Sequence, residues 1–173
     1  LYFNGISLTK AIEKGNNDVV KLLLADPRID VNIQSVKVTW YYYDSFMRDK
    51  DYNLYNKTPL CIAFDEKNQE VIDLLMNHKG LLFSEGQLAG CSIESITIPS
   101  HISVLDSRSF ENSNLRTITI PQTVTKICNY VFKDCSNLET VEIPETVTSI
   151  GIGVFQNCKS LIKVTIPSSI TSI

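Results

Sequence analysis

The stretch LRTITIPQTVTKI, residues 115–127, decides the fold of this chain. Its first part alternates with period two, so Ile118 and Ile120 point to one side of a predicted strand and the threonines between them point to the other. Pro121 ends this strand, because proline has no backbone N–H to donate to a neighbouring strand. The later apolar residues, Val124 and Ile127, predict that the chain then folds back under the strand.

This stretch belongs to one of four copies of a repeated unit. The leading leucine recurs every 23 residues (138 − 115 and 161 − 138), and a looser copy begins at Ile93. The shared pattern is L-x-x-I-x-I-P-x-x-V-T-x-I, followed five residues later by a Phe. One coil cannot bury its own apolar face, so the coils must stack and their strands form a parallel sheet. The fourth copy stops before its Phe, so we expect the natural protein to continue past Ile173 and to start before Leu1.

The outward side of the predicted sheet is a first candidate for a partner-binding surface. Stacking in register places its exposed positions in two columns: Ser95, Thr117, Thr140 and Lys163, and Thr97, Thr119, Glu142 and Thr165. Binding hot spots favour Trp, Tyr and Arg, and on this face only Arg116 is of that kind. The candidate residues are therefore Arg116, Thr117, Thr119 and Glu142. The alternative interpretation is a Thr-rich sheet that contacts only solvent.

Residues 93–173 resemble the BspA-type leucine-rich repeat family, as three coils plus a half coil. The I-P step, the V-T-x-I step, the Phe and the Cys that follows it recur in register. This resemblance implies a solenoid of a kind often found on surface proteins of bacteria and protozoan parasites. It also implies adhesion, which is the role usually suggested for such proteins.

The N-terminal half contains a second repeat, in which residues 8–11 align with 60–63 and residues 18–23 with 70–75. Each unit is typical of two short antiparallel helices, and Thr58-Pro59 is a strong helix start. The motif Thr58-Pro59-Leu60-x-x-Ala63 resembles the ankyrin repeat, and the resemblance covers residues 4–80 apart from an insertion at 36–55. The predicted fold is thus an α+β repeat solenoid. A short stack of ankyrin helical hairpins, residues 1–80, continues through a junction at 81–92 into the leucine-rich coils.

The insertion at 36–55 is the second candidate for a partner-binding surface. It holds the only Trp and many of the tyrosines, and residues of this type anchor protein interfaces. Alternating apolar residues favour an elongated hairpin here. The candidates are Trp40, Tyr41, Tyr42, Tyr43, Phe46 and Tyr52. The alternative is that these aromatic side chains pack back onto the helices.

The chain offers few residues for catalysis or metal binding. Its two histidines, His78 and His101, lie near no motif for a nucleophile, a metal or acid–base work. The five cysteines are an odd number without a C-x-x-C pair, which predicts neither a disulfide framework nor a zinc site. Cys135 and Cys158 share one repeat position, and we interpret them as stacked buried thiols rather than a disulfide. By pattern, Cys128 and Cys91 have no partner.

The net charge and the length of the apolar runs limit the possible functions further. A formal net charge of −3 has the wrong sign for a protein that binds nucleic acid through its phosphates. No apolar run is long enough to cross a bilayer. We therefore predict a non-enzymatic protein-interaction scaffold without cofactor or metal, whose partner is an unidentified protein, with self-association through open solenoid ends as a further option.

Three roles remain open for such a scaffold. One is a surface adhesin that contacts host or matrix proteins, as the BspA-type resemblance implies. Another is an intracellular adaptor, which ankyrin units and unpaired cysteines favour. The third is a regulatory piece of a larger protein. The sequence accordingly leaves the location open between the cell surface and the cytoplasm.

Overall fold

A computed structural model describes residues 3–36 and 56–170 of the 173-residue chain. Helices come first and short strands follow. The N-terminal elements are α1 (Phe3–Glu13), α2 (Asn17–Leu24), β1 (Ser35–Val36), β2 (Asn56–Lys57), α3 (Pro59–Asp65) and α4 (Gln69–Met76). The C-terminal strands are β3 (Ser95–Thr97), β4 (Val104–Leu105), β5 (Thr117–Thr119), β6 (Lys126–Ile127), β7 (Thr140–Glu142), β8 (Ser149–Ile150) and β9 (Lys163–Thr165).

The helices form two hairpins that stack, α1 on α3 and α2 on α4. The predicted start of α3 is confirmed: the Thr58 hydroxyl accepts a hydrogen bond from the Cys61 N–H at 3.2 Å, and Pro59 follows at the first helical position. Asn16 and Asn68 cap α2 and α4 in the same manner, because a side-chain oxygen satisfies an unpaired N–H of the first turn. The assignment of these hairpins to the ankyrin family stays a prediction.

Strands β1 and β2 pair antiparallel, with Ser35 opposite Lys57 and Val36 opposite Asn56. They bring together the two chain segments that flank residues 37–55. The predicted elongated hairpin and its six aromatic candidates, Trp40, Tyr41, Tyr42, Tyr43, Phe46 and Tyr52, lie outside the described residues.

The repeat copies form a solenoid with two parallel sheets. One sheet has the order β3-β5-β7-β9 and the other the order β4-β6-β8. The register is confirmed: Ser95 pairs with Thr117, Thr117 with Thr140 and Thr140 with Lys163. The middle residue of each strand in the larger sheet faces inward, so Ile96, Ile118 and Val141 are buried while their neighbours are exposed.

Stacked rings fill the centre of the solenoid. Phe110 lies 5.5 Å from Phe132, and Phe132 lies 5.7 Å from Phe155, measured between ring centroids. Phe110 and Phe132 are fully buried, whereas Phe155 is half-buried. The repeated Phe thus supplies the column that the period of the sequence predicts.

The segment between the last helix and the first strand of the sheets is itself part of the solenoid. Phe83 bridges in parallel to Leu105, and the N–H groups of Leu88 and Gly90 donate to the carbonyls of Ser109 and Glu111. Backbone N–H groups of the later coils donate to carbonyls of the following coil in the same way. Buried residues from Leu8 to Val154 form one contiguous core, as expected if residues 81–92 dock the helices onto the coils. The domain boundaries themselves stay a prediction.

Gly151 and Gly153 are required by close packing between coils. A Cβ on Gly153, whose φ is +64°, would lie 2.5 Å from the Tyr130 ring. A Cβ on Gly151 would lie 2.6 Å from the backbone of Asn129. The Gly-Ile-Gly sequence therefore reflects the approach of one coil to the coil before it.

The expectation that the chain contains no disulfide, and that Cys91 lacks a partner, is wrong. Cys91 is joined to Cys61 of helix α3, with the Cα atoms 5.5 Å apart. The error arises because the repeat period relates one coil to another, whereas this bond links a coil to a helix. Cys128, Cys135 and Cys158 are free thiols, as predicted for the stacked pair.

Candidate functional site

The outward face of the larger sheet carries an array of hydroxyl groups. Its members are exposed, and none donates or accepts a side-chain hydrogen bond within the described residues: Ser95, Thr97, Thr117, Thr119, Thr140 and Thr165. Neighbouring strands are about 4.8 Å apart and alternate residues on one strand about 6.6 Å apart. Six hydroxyls with unused donors and acceptors therefore lie in a regular grid.

Hydroxyl residues in the turns that follow the strands of the larger sheet are used differently. The hydroxyls of Thr123, Thr146 and Ser169 donate to the carbonyls of Ile102, Val124 and Val147 in the preceding coil, at 2.9, 2.8 and 2.7 Å. Thr125 and Thr148 make longer contacts of the same kind. These hydroxyls connect one coil to the next and stabilise the stack, so the free hydroxyls of the larger sheet have no equivalent structural role.

A charged pair flanks the hydroxyl array at the start of the strands. The Arg116 guanidinium donates to Glu139 Oε1 at 2.7 Å, and this hydrogen bond raises the pKa of Arg116. The Arg116 side chain remains 57% exposed, so it still faces solvent while paired. Glu142 and Lys163, on the array itself, are exposed and have no ion pair among the described residues.

Beside Arg116 lies a shallow polar cleft of about 350 Å³. Besides Arg116 and Glu139, its lining comprises Glu94, Asn114, Asn137 and Ser160. Sequence reasoning missed this cleft, although the asparagines recur with the repeat step (137 − 114) directly before the leading leucine. Together, the cleft and the hydroxyl array form one continuous polar surface, which we call the sheet face.

The two groups of predicted site residues have different outcomes. Arg116, Thr117, Thr119 and Glu142 lie together on the sheet face, on adjacent strands β5 and β7 or directly before them. The aromatic candidates of the insertion lie outside the described residues, so their role stays a prediction. Self-association through solenoid ends also stays a prediction; on the coil of β9, Ile162 and Ile166 are 83% and 56% exposed.

The described residues contain little that could bind a metal or cross a membrane. Among residues 3–36 and 56–170, no three His, Cys, Asp or Glu side chains converge on a possible metal position. Within the same ranges, no helix is long and apolar enough to span a bilayer. His78 Nδ1 accepts a hydrogen bond from the Gly80 N–H, which fits a structural role for this histidine.

Comparison with known proteins agrees with the coil geometry. A family model described as "BspA type Leucine rich repeat region (6 copies)" matches residues 63–173. The chain belongs to the BspA-type leucine-rich repeat family. The match begins well before the predicted start at residue 93, which is consistent with the coil-like bonding of residues 83–91. No curated protein matches the chain.

Two solved structures are similar to the chain. A leucine-rich repeat protein of T. pallidum is 26% identical with a TM-score of 0.52, over 54% of this chain and 44% of that one. A leucine-rich repeat protein from Bacteroides ovatus is 24% identical with a TM-score of 0.49, over 53% of this chain and 24% of that one. The chain therefore spans less than half the length of either protein. Family and fold together identify a leucine-rich repeat scaffold of the kind that supports protein–protein interaction.

Proposed function

We propose that this chain is a non-enzymatic adhesion module that binds a protein partner through the sheet face. The observation that carries the proposal is the contrast between two sets of hydroxyl groups. Hydroxyls in the turns after β5, β7 and β9 bond to the preceding coil, whereas those on the sheet face make no side-chain hydrogen bond within the described residues. A surface with many unused donors and acceptors can bind extended polar segments, since each hydroxyl can donate one hydrogen bond and accept two.

The sheet face combines features that suit a wet, polar interface. Arg116 is the residue type enriched at interface hot spots, and its pairing with Glu139 holds the guanidinium in a fixed direction. The cleft next to it offers amide and carboxylate groups, so a partner side chain can enter it and find hydrogen-bonding groups. Such an interface depends on polar complementarity and bridging water rather than on a large apolar area.

The Cys61–Cys91 disulfide favours the surface adhesin over the intracellular adaptor. Disulfides persist in oxidising surroundings such as cell surfaces and are rare in the cytosol, where thiols are kept reduced. Both cysteines are 1% exposed, as befits a structural bond. The adaptor hypothesis draws on the resemblance to ankyrin repeats and on the unpaired cysteines, of which Cys128, Cys135 and Cys158 remain.

Protease shaving of intact source cells tests the location. Peptides of the chain released without lysis support the adhesin, whereas peptides that appear only after lysis contradict it. A cytosolic marker protein, followed in the same digest, reports any lysis.

The binding face is tested with the purified chain on a surface coated with host matrix proteins. The triple change Arg116→Ala, Thr117→Ala and Thr119→Ala should lower retention at least tenfold. A matched control, Thr125→Ala with Lys126→Ala, alters exposed residues at the start of strand β6 and should retain binding. Equal losses in the two variants would show that the sheet face is not the binding surface.

A further inference from the structure

Cys91, one of the two cysteines of the disulfide, lies at a repeat position whose side chains make different contacts in the later coils. Cys91 stands in its coil where Ser113, Cys135 and Cys158 stand in the following ones, since each of their N–H groups donates to the carbonyl three residues earlier. The sulfurs of Cys135 and Cys158 donate backwards to the carbonyls of Phe110 and Phe132, both at 3.0 Å. Cys91 lies in the first coil, where helix α3 precedes it instead of a coil, and its sulfur meets Cys61.

The two later cysteines of the same column are hydrogen-bonded thiols. Burial raises the pKa of the Cys135 thiol and raises that of Cys158 to about 12. The thiolate is the reactive form in disulfide exchange, so both thiols react slowly. Cys135 and Cys158 are free thiols although they are neighbours in the stack.

Few polar contacts cross the joint between helix α3 and the first coil. The Thr58 hydroxyl donates to the Gln87 carbonyl at 2.7 Å, and the Ser92 N–H donates to Asp65 Oδ1 at 2.9 Å. Gln87 itself is buried, and within the part of the chain that the structure describes its Nε2 has no hydrogen-bond partner. An unsatisfied buried amide disfavours the docking of helix α3 on the first coil. The bond between Cys61 and Cys91 therefore has a large effect on whether the helix and the coil stay in contact.

We propose that Cys61 and Cys91 form a redox latch, which fixes the helical hairpins on the solenoid only after oxidation by a disulfide-containing oxidant. The Cys61 thiolate attacks one sulfur of the oxidant and releases one thiolate. Cys91 then attacks the mixed disulfide at the Cys61 sulfur and releases the second. Two cysteine thiols are oxidised, the oxidant is reduced to two thiols, and these take up the two cysteine protons. Because the closed bond is buried, the exchange takes place while α3 is undocked.

Thiol counting on the 173-residue chain tests which cysteines react. The chain is equilibrated with oxidised or reduced glutathione, unfolded, alkylated with a maleimide and analysed by peptide mass spectrometry. We expect three alkylated cysteines after oxidation, namely Cys128, Cys135 and Cys158, and five after reduction. Five alkylated cysteines in both samples, or a Cys135–Cys158 bond, would overturn the proposal.

Amide hydrogen exchange tests whether the bond acts as a latch. Reduction should speed exchange in α3 and α4 at least tenfold and leave β5, β7 and β9 unchanged. Cys91→Ser should exchange like the reduced chain in both buffers, and it should fold because Ser113 holds the same position in the next coil. Cys135→Ser, the matched control, should keep the redox response. Equal exchange in oxidised and reduced samples would show that the bond controls nothing at the joint.

Discussion

The ring of Phe83 stacks on the ring of Phe110 with their centroids 5.4 Å apart, although the two residues hold different positions in their coils. By backbone hydrogen bonding, the position of Phe110 belongs to Leu88 in the first coil. Phe83 instead stands where the next coil has Leu105. The aromatic column is therefore extended by a side chain from another position of the repeat, while Leu88 is buried as well.

Removing this first ring should weaken the joint between helices and solenoid. Phe83→Ala should lower the free energy of unfolding by about 3–5 kcal/mol, because the side chain is buried and leaves a cavity. Urea denaturation measures the loss. Leu82→Ala, at a neighbouring residue that is 58% exposed, should change stability by less than about 0.5 kcal/mol. Similar losses in both variants would mean that Phe83 does not support the core.

One pair of variants distinguishes the hydrogen-bonded hydroxyls of the turns from the free hydroxyls of the sheet face. Thr146→Val keeps the side-chain shape but removes the 2.8 Å hydrogen bond to the Val124 carbonyl, so it should cost about 1 kcal/mol. Thr140→Val, on the sheet face, removes a hydroxyl that bonds to nothing in the described chain and should be nearly neutral. Thermal or urea unfolding of the two proteins distinguishes them, and a costly Thr140→Val would contradict the free state of that hydroxyl.

Two glycines with the same backbone conformation should respond differently to a methyl group. Gly90 and Gly153 have φ of +67° and +64°, so alanine is strained at both, by about 1 kcal/mol. Nothing lies within 4 Å of a Cβ on Gly90, whereas the Tyr130 ring lies 2.5 Å from one on Gly153. Gly153→Ala should therefore be the more destabilising change, with the difference measured by urea denaturation. A Gly90→Ala loss equal to that of Gly153→Ala would argue against the contact with Tyr130.

Periodicity explains which parts of this structure could be predicted from the sequence. The columns of Thr117 and Phe132 follow from the repeat step, because stacked coils place equal positions side by side. No such rule relates Cys61 to Cys91, since one lies on a helix and the other on a coil. The place of the Phe83 ring in the column could not be predicted from the repeat either. The first coil carries Leu88 at the position where the later coils have Phe.

The candidate site also has some features that follow from the sequence pattern and others that do not. The outward direction of Thr117 and Thr119 follows from alternation along a strand, and both lie on the sheet face. Arg116 precedes β5, and its exposure does not follow from that alternation. The unused state of the hydroxyls depends on hydrogen-bond partners in another coil, which a pattern of threonines does not reveal. The turns after β5 and β7 also carry threonines, Thr123 and Thr146, and their hydroxyls donate to backbone carbonyls of the preceding coil.

Acid should weaken a charge cluster on the turns of the coils. Glu111 accepts hydrogen bonds from Lys133 Nζ at 2.6 Å and from Arg108 Nη1 at 2.8 Å. Burial acts to raise the pKa of this carboxyl, but the two cations outweigh it and hold the pKa below its ordinary 4.5. A lowered folded-state pKa contributes stability that is present above the unfolded value and is lost as pH falls through the folded one.

Glu111→Gln removes this titrating group and tests the link to pH. At pH 7 the variant should be less stable by about 1–3 kcal/mol, since hydrogen bonds to a charged acceptor are lost. Below pH 4.5 its stability should fall less steeply than that of the parent chain. Urea denaturation across this range measures both effects. Glu145→Gln, at an exposed carboxyl without an ion pair in the described chain, should follow the parent curve. Parallel curves for parent and Glu111→Gln would mean that this carboxyl is as easily protonated in the folded chain as in the unfolded one.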